Sequence, residues 1–389
     1  MAQDFSRRQW IKGGAAFASV AAMGLLDWAL PALAQGEEVI PWTDIPANFN
    51  PNPQRGGRSL DTRALQKSTF ITPTDEFYQV QHYGQPQVDP ATYKLRVTGL
   101  VNKPIELTLD QIKRRPRTEI VAGFECGGNS NTLVNRLCGN AKWAGASLSA
   151  LLREAGLQPH AREVVFFAAD KGMENVTHGR GGPHQVEQYF GRSMSTEDAA
   201  RSEALIVWEM NGDPLTMSHG APVRLVAPGW YGVANVKWLN HIHVQDTRYM
   251  GRFMSRDYVT LIGKKVGDEV IWNETSVSRM RIKSALARLT RTGNRYAALG
   301  FVLNDGSPLK SVEVRVDNGP WRVARLDSAN TQYSWKFFTY EWNDLAPGEH
   351  TIVSRATDSN GVVQPEDAEL ESKRTMWENN SQYIRKFTI

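Results

Sequence analysis

An α+β domain followed by an antiparallel β-sandwich is the fold class that this sequence predicts, and three observations carry it. Short apolar runs separated by turn signals occupy residues 93 to 244, with short helical patterns among them. After about Arg279 the composition shifts to strand-like segments at short spacing, the pattern of a sandwich of roughly 100 residues. No repeat, heptad or low-complexity tract interrupts them, and 389 residues suffice for two domains with their own cores.

The first 34 residues read as an export signal rather than as fold. Arg7-Arg8 precede a moderately apolar run from Gly13 to Leu33, and Ala32-Leu33-Ala34 supplies the small residues of a cleavage site. Asp27 and Pro31 interrupt the run, so no membrane span is expected. A twin-arginine signal implies that the protein is exported already folded to the bacterial periplasm. From Gln35 to about Phe70 the Pro-, Asn- and Gly-rich sequence predicts an extended arm. Tyr93–Val101 alternates as a half-buried strand, and Glu119–Glu125 is a second strand whose end delivers Cys126. Leu148, Leu151 and Leu152 between Ser147 and Gly156 mark a short capped helix. Residues 162–169, 204–210, 222–227 and 235–244 are further strands. In the last part, residues 299–304, 312–316, 321–326, 333–342 and 350–357 are strands, with Asp317-Asn-Gly319 as a hairpin turn. The expected organisation is a signal at 1–34, a first domain at 35–280 and an immunoglobulin-like sandwich at 281–389.

The formal charge of +4 is dispersed among 41 acids without a basic run, which speaks against nucleic acid. The sequence lacks a phosphate-cradling GxxxxGK[ST], a haem-attaching CxxCH, paired CxxC motifs and a GxSxG elbow. His241 and His243 could share one strand face as metal ligands, although alternation produces that spacing by chance. Cys126 lies in Gly123-Phe-Glu-Cys-Gly-Gly-Asn-Ser130, where turn residues beside the sulfur point to a presented thiol. Its 12-residue separation from Cys138 leaves a disulfide open in an oxidising compartment.

Six ordered blocks narrow these options. Phe124-Glu-Cys-Gly-Gly-Asn129, Lys142–Leu148, Trp208–Leu215, His219–Gly229, Asn235–Leu239 and Ser255–Tyr258 resemble the sulfite oxidase family of molybdenum enzymes. Val312–Gly319, Arg355–Gly361 and Val363–Pro365 resemble that family's dimerisation domain, so the likeness covers roughly residues 70 to 389. The resemblance implies a molybdopterin cofactor in residues 35–280, with the Cys126 thiolate on molybdenum, and a homodimer through the sandwich. Soft sulfur suits such a metal, and Cys138 then reads as a small buried hydrophobe. By the same resemblance His82, Ser193, His219, Arg224 and Lys237 contact the cofactor, Ser193 within a Gly191-Arg-Ser193 loop. Arginine offers phosphate a planar fork and lysine a point charge.

Tyr258 matches the family's active-site tyrosine, and Arg374 matches an arginine contributed by the C-terminal domain. The expected activity is oxidation of sulfite to sulfate, a small anionic sulfur substrate, with a soluble c-type cytochrome taking the electrons. Two family arginines are replaced, one by Val80 and the other by Asn131, and the loop after Cys126 is shorter than in eukaryotic members. Arg136 and Arg180 are the cations available to compensate. The substitutions favour an alternative sulfur substrate (sulfane, organic sulfur or an S-oxide) on the same cofactor. A non-catalytic binding protein on this fold is the remaining alternative, and Cys126 with its accompanying donors argues against it.

Overall fold

The Thr118–Glu125 strand explains how the cysteine reaches the interior. Its first residues are exposed and its last four, Ala122 to Glu125, are buried, so the strand dives into the core before the chain turns. It pairs antiparallel with Cys138–Ser147, with Glu125 directly opposite Cys138, and the turn carrying Cys126 closes between these two residues. The computed structural model describes residues 36–46, 49–50, 59–130, 135–177, 181–201 and 203–389. The expected export signal at 1–34, Asn131 and Arg180 lie outside the described residues. Among the described residues no helix is long and apolar enough to cross a membrane.

Two five-stranded sheets build the first part. In one, Arg224–Val226, Leu205–Met210, Cys138–Ser147 and Thr118–Glu125 lie side by side, with Asp213–Pro214 added on Leu205–Met210. In the other the order is Ile105–Thr108, Lys94–Gly99, Leu239–Gln245, Glu163–Val176 and His184–Ser195. The expected helix forms over Leu148–Ala155. Ser147 accepts from the Ala150 N–H at 3.3 Å at its start, and Gly156 ends it at a φ of 70° that suits glycine. The strand expected from residue 235 begins later, at Leu239, because Gly232–Ala234 is a 3₁₀ turn and Trp238 has a φ of 49°.

The C-terminal sandwich packs a sheet ordered Glu38–Ile40, Lys283–Thr292, Arg295–Leu303, Lys336–Asn343 and Arg325–Leu326 against a second ordered Arg322–Val323, Leu309–Val316, Glu349–Asp358 and Arg385–Thr388. Leu286, Leu289, Val302, Val312, Val314, Phe338, Ile352 and Phe387 fill the space between them. The expected strand at 321–326 is broken at Ala324, so its two pieces serve different sheets. The predicted arm contributes Glu38–Ile40 to the sandwich edge.

Residues 37 to 389 pack as one unit, and the sandwich shares a core with the first part. Phe301, Leu303, Trp335 and Phe337 lie in the same apolar cluster as Phe77, Phe124 and Trp143. At this junction a Cβ on Gly123 would sit 2.8 Å from the Trp335 nitrogen, so only glycine lets the cysteine-bearing strand approach. Its N–H donates to the Tyr333 carbonyl at 2.9 Å.

Candidate active site

Cys126 leaves its strand buried, with its N–H donating to the Leu137 carbonyl at 2.9 Å and its carbonyl accepting from the Asn129 N–H at 2.9 Å. The glycines that follow sit under tight contacts. A Cβ on Gly127 would meet Val277 at 3.1 Å, and one on Gly128 would meet Trp377 at 3.0 Å and Met376 at 3.2 Å. Tyr258 and Trp377 therefore ride close over the cysteine turn, their rings stacked at 4.4 Å. Neither cysteine is in a disulfide, and Cys138 is fully buried with its Sγ 3.1 Å from the Asn135 carbonyl.

Cys126 opens on a narrow cleft that is continuous with solvent. His82, His219, Arg224, Lys237 and Tyr258 line it together with Cys126, so six of the eight expected site residues converge. His82 Nε2 and the Tyr258 hydroxyl are 2.9 Å apart. Burial, followed by the charge of Lys237, holds the His82 ring down to about 4, so it is neutral near pH 7. Burial pushes the Tyr258 hydroxyl well up, which keeps its proton in place. Tyr258 adopts a φ of 55°, a left-handed conformation that is uncommon for a bulky residue and typical of functional positions.

Two cations form the floor. Arg224 donates Nη1 to the His219 carbonyl at 2.9 Å and Nη2 to the Asn235 carbonyl at 3.0 Å, and its guanidinium lies 4.9 Å from the Trp143 ring centroid. Lys237 donates to the Ser218 carbonyl at 3.1 Å. Burial lowers Arg224 to about 10; burial, with the neighbouring Arg224 charge second, lowers Lys237 to about 7. Neither cation forms an ion pair within the distance of a salt bridge among the described residues. Both are therefore poised for an anion from outside the chain.

Asp170, which sequence reasoning missed, lines the same cleft, and burial raises it to about 6. The irregularity between Phe167 and Lys171 in its strand places it there, and an acid at the end of the Phe166–Ala169 apolar run was the available signal. The Arg224 Nε and the Asp170 Oδ1 are buried without a hydrogen-bond partner. A buried donor and a buried acceptor on two residues that line a cleft with a thiol fit a group with an anionic tail, a polar heterocycle and a sulfur-seeking metal. Molybdopterin has those three features, and the residues present fit it.

The remaining expectations fall elsewhere. Ser193 does not line this cleft; its hydroxyl donates to Glu163 Oε1 at 2.6 Å beside a second cavity. Arg374 is exposed, donates to the Glu371 carbonyl, and lies 5.2 Å from the Trp272 ring centroid. Its N–H donates to the Leu261 carbonyl at 2.9 Å, which ties its segment to the Val259–Ser276 hairpin that follows Tyr258. Val80 does line the cleft, whereas Arg136 does not. His241 and His243 share the Thr98 hydroxyl at 2.7 and 3.0 Å, and no cluster of three or more potential metal ligands occurs among the described residues.

Comparison with known proteins agrees with this geometry. Residues 82–253 match the oxidoreductase molybdopterin binding domain. The chain is 28% identical to the mitochondrial sulfite oxidase of Drosophila melanogaster over 85% of its own length, and 27% identical to the sulfite oxidase of Arabidopsis thaliana over 79%. It spans 62% of the fly protein and 85% of the plant protein. The sulfane dehydrogenase SoxCD from Paracoccus pantotrophus superposes with a TM-score of 0.71 at 22% identity, covering 93% of this chain and 94% of that one. That likeness shows the shared fold.

Proposed function

The chain belongs to the sulfite oxidase family of molybdopterin oxidoreductases, and from that premise we propose that it oxidises sulfite to sulfate in the periplasm. In this reaction water supplies the added oxygen, two protons are released, and two electrons pass one at a time to a soluble c-type cytochrome. When bound, the cofactor supplies oxygen-atom transfer and a reservoir for two electrons. The observation that carries the reading is the convergence of the Cys126 thiol, the Arg224 and Lys237 cations and the Tyr258–His82 pair on one cleft.

Each side chain then has a task. Cys126 would hold the metal through its thiolate. Arg224 and Lys237 would bind the phosphate, with His219 beside them, and Asp170 would accept from the heterocycle. Tyr258 keeps its proton and donates a hydrogen bond to a substrate oxygen, while neutral His82 orients the phenol from behind. Export by the twin-arginine route and a homodimer through the sandwich complete the proposal. Ser193 and Arg374 stay assigned to cofactor and substrate only if they move when the site is filled.

A second reading has its own support. Val80 stands in the cleft where the resemblance places an arginine, and Arg374 is exposed outside it, so once Arg224 and Lys237 hold the phosphate the described lining has no further Lys or Arg for a small dianion. An uncharged or organic sulfur substrate suits such a lining better. Initial rates of cytochrome c reduction by purified, molybdenum-loaded enzyme with sulfite, thiosulfate and organic thiols, together with sulfoxide-dependent oxidation of a reduced dye, separate the two. Turnover of sulfite supports the first, and its absence with turnover of an uncharged or organic sulfur compound supports the second.

A further inference from the structure

Behind the cysteine turn, away from the cleft, lies a buried ion pair whose members are 158 residues apart in sequence. Glu125 Oε2 accepts from Lys283 Nζ at 2.5 Å and from Asn129 Nδ2 at 2.9 Å, and both charged side chains are 1% exposed. Lys283 begins the first long strand of the sandwich and also donates to the Asn379 carbonyl at 3.3 Å. Asn129 closes the turn itself, accepting from the Leu137 N–H at 2.9 Å while its own N–H donates to the Cys126 carbonyl. One residue beyond Cys126, the Gly127 carbonyl accepts from the Glu378 N–H at 2.7 Å. The sandwich thus grips the turn at two points that flank the sulfur.

Burying two charges is costly, and a well-packed apolar pair often replaces such a bridge without loss of stability. A bridge kept at this place calls for a use other than stability. Successive side chains of an extended chain point to opposite sides, so fixing the Glu125 carboxylate on one side constrains where the neighbouring sulfur points on the other.

We propose that the Glu125–Lys283 pair is a positioning device by which the C-terminal sandwich sets the direction of the Cys126 sulfur into the cleft. The proposal rests on the reading of Cys126 as the metal's thiolate ligand. Glu125 and Lys283 touch neither cofactor nor substrate and act through Cys126. Outer partners of metal ligands characteristically change activity by about 10–100-fold when removed.

The test compares the molybdenum-loaded wild type with the double variant Glu125→Gln/Lys283→Met, which removes both charges together, since Lys283→Met alone strands a buried carboxylate and endangers folding. The double variant should keep its thermal transition and its molybdenum. Its kcat should fall about 10–100-fold with little change in KM, and the electron paramagnetic resonance signal of the one-electron-reduced centre should split into several species. Wild-type kcat with a single wild-type signal would overturn the proposal, as would loss of the thermal transition, which would make the pair a prop of the fold. A Cys126→Ser control is run beside it. An unchanged metal–sulfur signature in that control would instead overturn the ligand reading, so the two failures are distinguishable.

Discussion

Replacing Arg224 with Gln probes the cofactor assignment most directly, because the structure states what is lost. The substitution removes a buried positive charge, the two bonds to the His219 and Asn235 carbonyls, the contact over Trp143, and the Nε donor that has no partner within the chain. A charge-assisted hydrogen bond is worth about 1.5–3 kcal/mol, so cofactor affinity should fall about 10- to 150-fold. Each stranded carbonyl also costs the fold about 1–3 kcal/mol, and the assay has to separate this from binding. Molybdenum per folded chain, measured by mass spectrometry during dialysis, isolates the binding loss, and the thermal midpoint of cofactor-free protein isolates the fold. Arg224→Lys keeps the charge without the fork and should retain molybdenum to an intermediate extent. Full molybdenum content with unchanged turnover in Arg224→Gln would remove Arg224 from the cofactor site.

Further outcomes follow from single contacts. Cys126→Ser should fold and lose the metal–thiolate signature in X-ray absorption, whereas Cys138→Ser should keep activity, its hydroxyl donating to the same Asn135 carbonyl. Gly128→Ala places a methyl 3.0 Å from Trp377, so the Tyr258–Trp377 stack must shift; a loss of about 1–3 kcal/mol in urea unfolding is expected, with a change in tryptophan emission. Arg374→Gln should alter the KM for sulfite by no more than about twofold, as for an exposed side chain worth about 0.5 kcal/mol; a large rise would mean that the arginine swings into the cleft when the site is filled. The His350 ring faces Asp317 Oδ2 and the Ala346 carbonyl, each at 2.8 Å, a geometry that only the doubly protonated ring satisfies. Burial opposes that charge, but the Ala346 carbonyl and Asp317 outweigh it and hold the ring above its usual value, while Asp317 is held below its own, where burial is outweighed by the Thr351 N–H and His350. The pair's stability is therefore complete between a pH of about 4 and about 6.5 and is lost as pH rises through the raised histidine value. It is lost again in acid as the aspartate protonates. Thermal midpoints measured against pH should lose their decline above neutrality in His350→Gln.

What the sequence revealed and what it concealed divide along physical lines. The helix at Leu148–Ala155 was legible because its cap, its leucine spacing and its terminal glycine are local. The Cys126 turn was legible for the same reason, although its glycines serve contact with Tyr258 and Trp377 rather than an unusual φ. The Val259–Ser276 hairpin was missed because its outer strand, Glu269–Ser276, is exposed on both faces and shows no alternation of burial to read. Lys283–Thr292 was missed for the converse reason. Its first eight residues are all buried, polar and apolar alike, so its Lys, Ser and Arg hide a central strand.

Site residues obey the same division. A motif position specifies a backbone location, and the direction of a side chain depends on register. Ser193 pairs opposite Val165, and two residues along the same strand Glu163 turns a carboxylate toward its hydroxyl, so the residue satisfies itself away from the cleft. Arg374 is delivered by pairing of its segment with the strand after Tyr258, and what its long side chain meets there is Trp272, an exposed aromatic that no motif marks. The cysteine could be read from the turn residues beside it, whereas the cleft cations and the tyrosine were legible only through the ordered blocks that resemble the family. The contacts between the two parts of the chain could not, since Lys283 meets Glu125 only after both sheets have formed. The sulfur at the centre of the site was thus readable from eight consecutive residues, while the clamp that aims it depends on a lysine in a segment whose sequence resembles no strand.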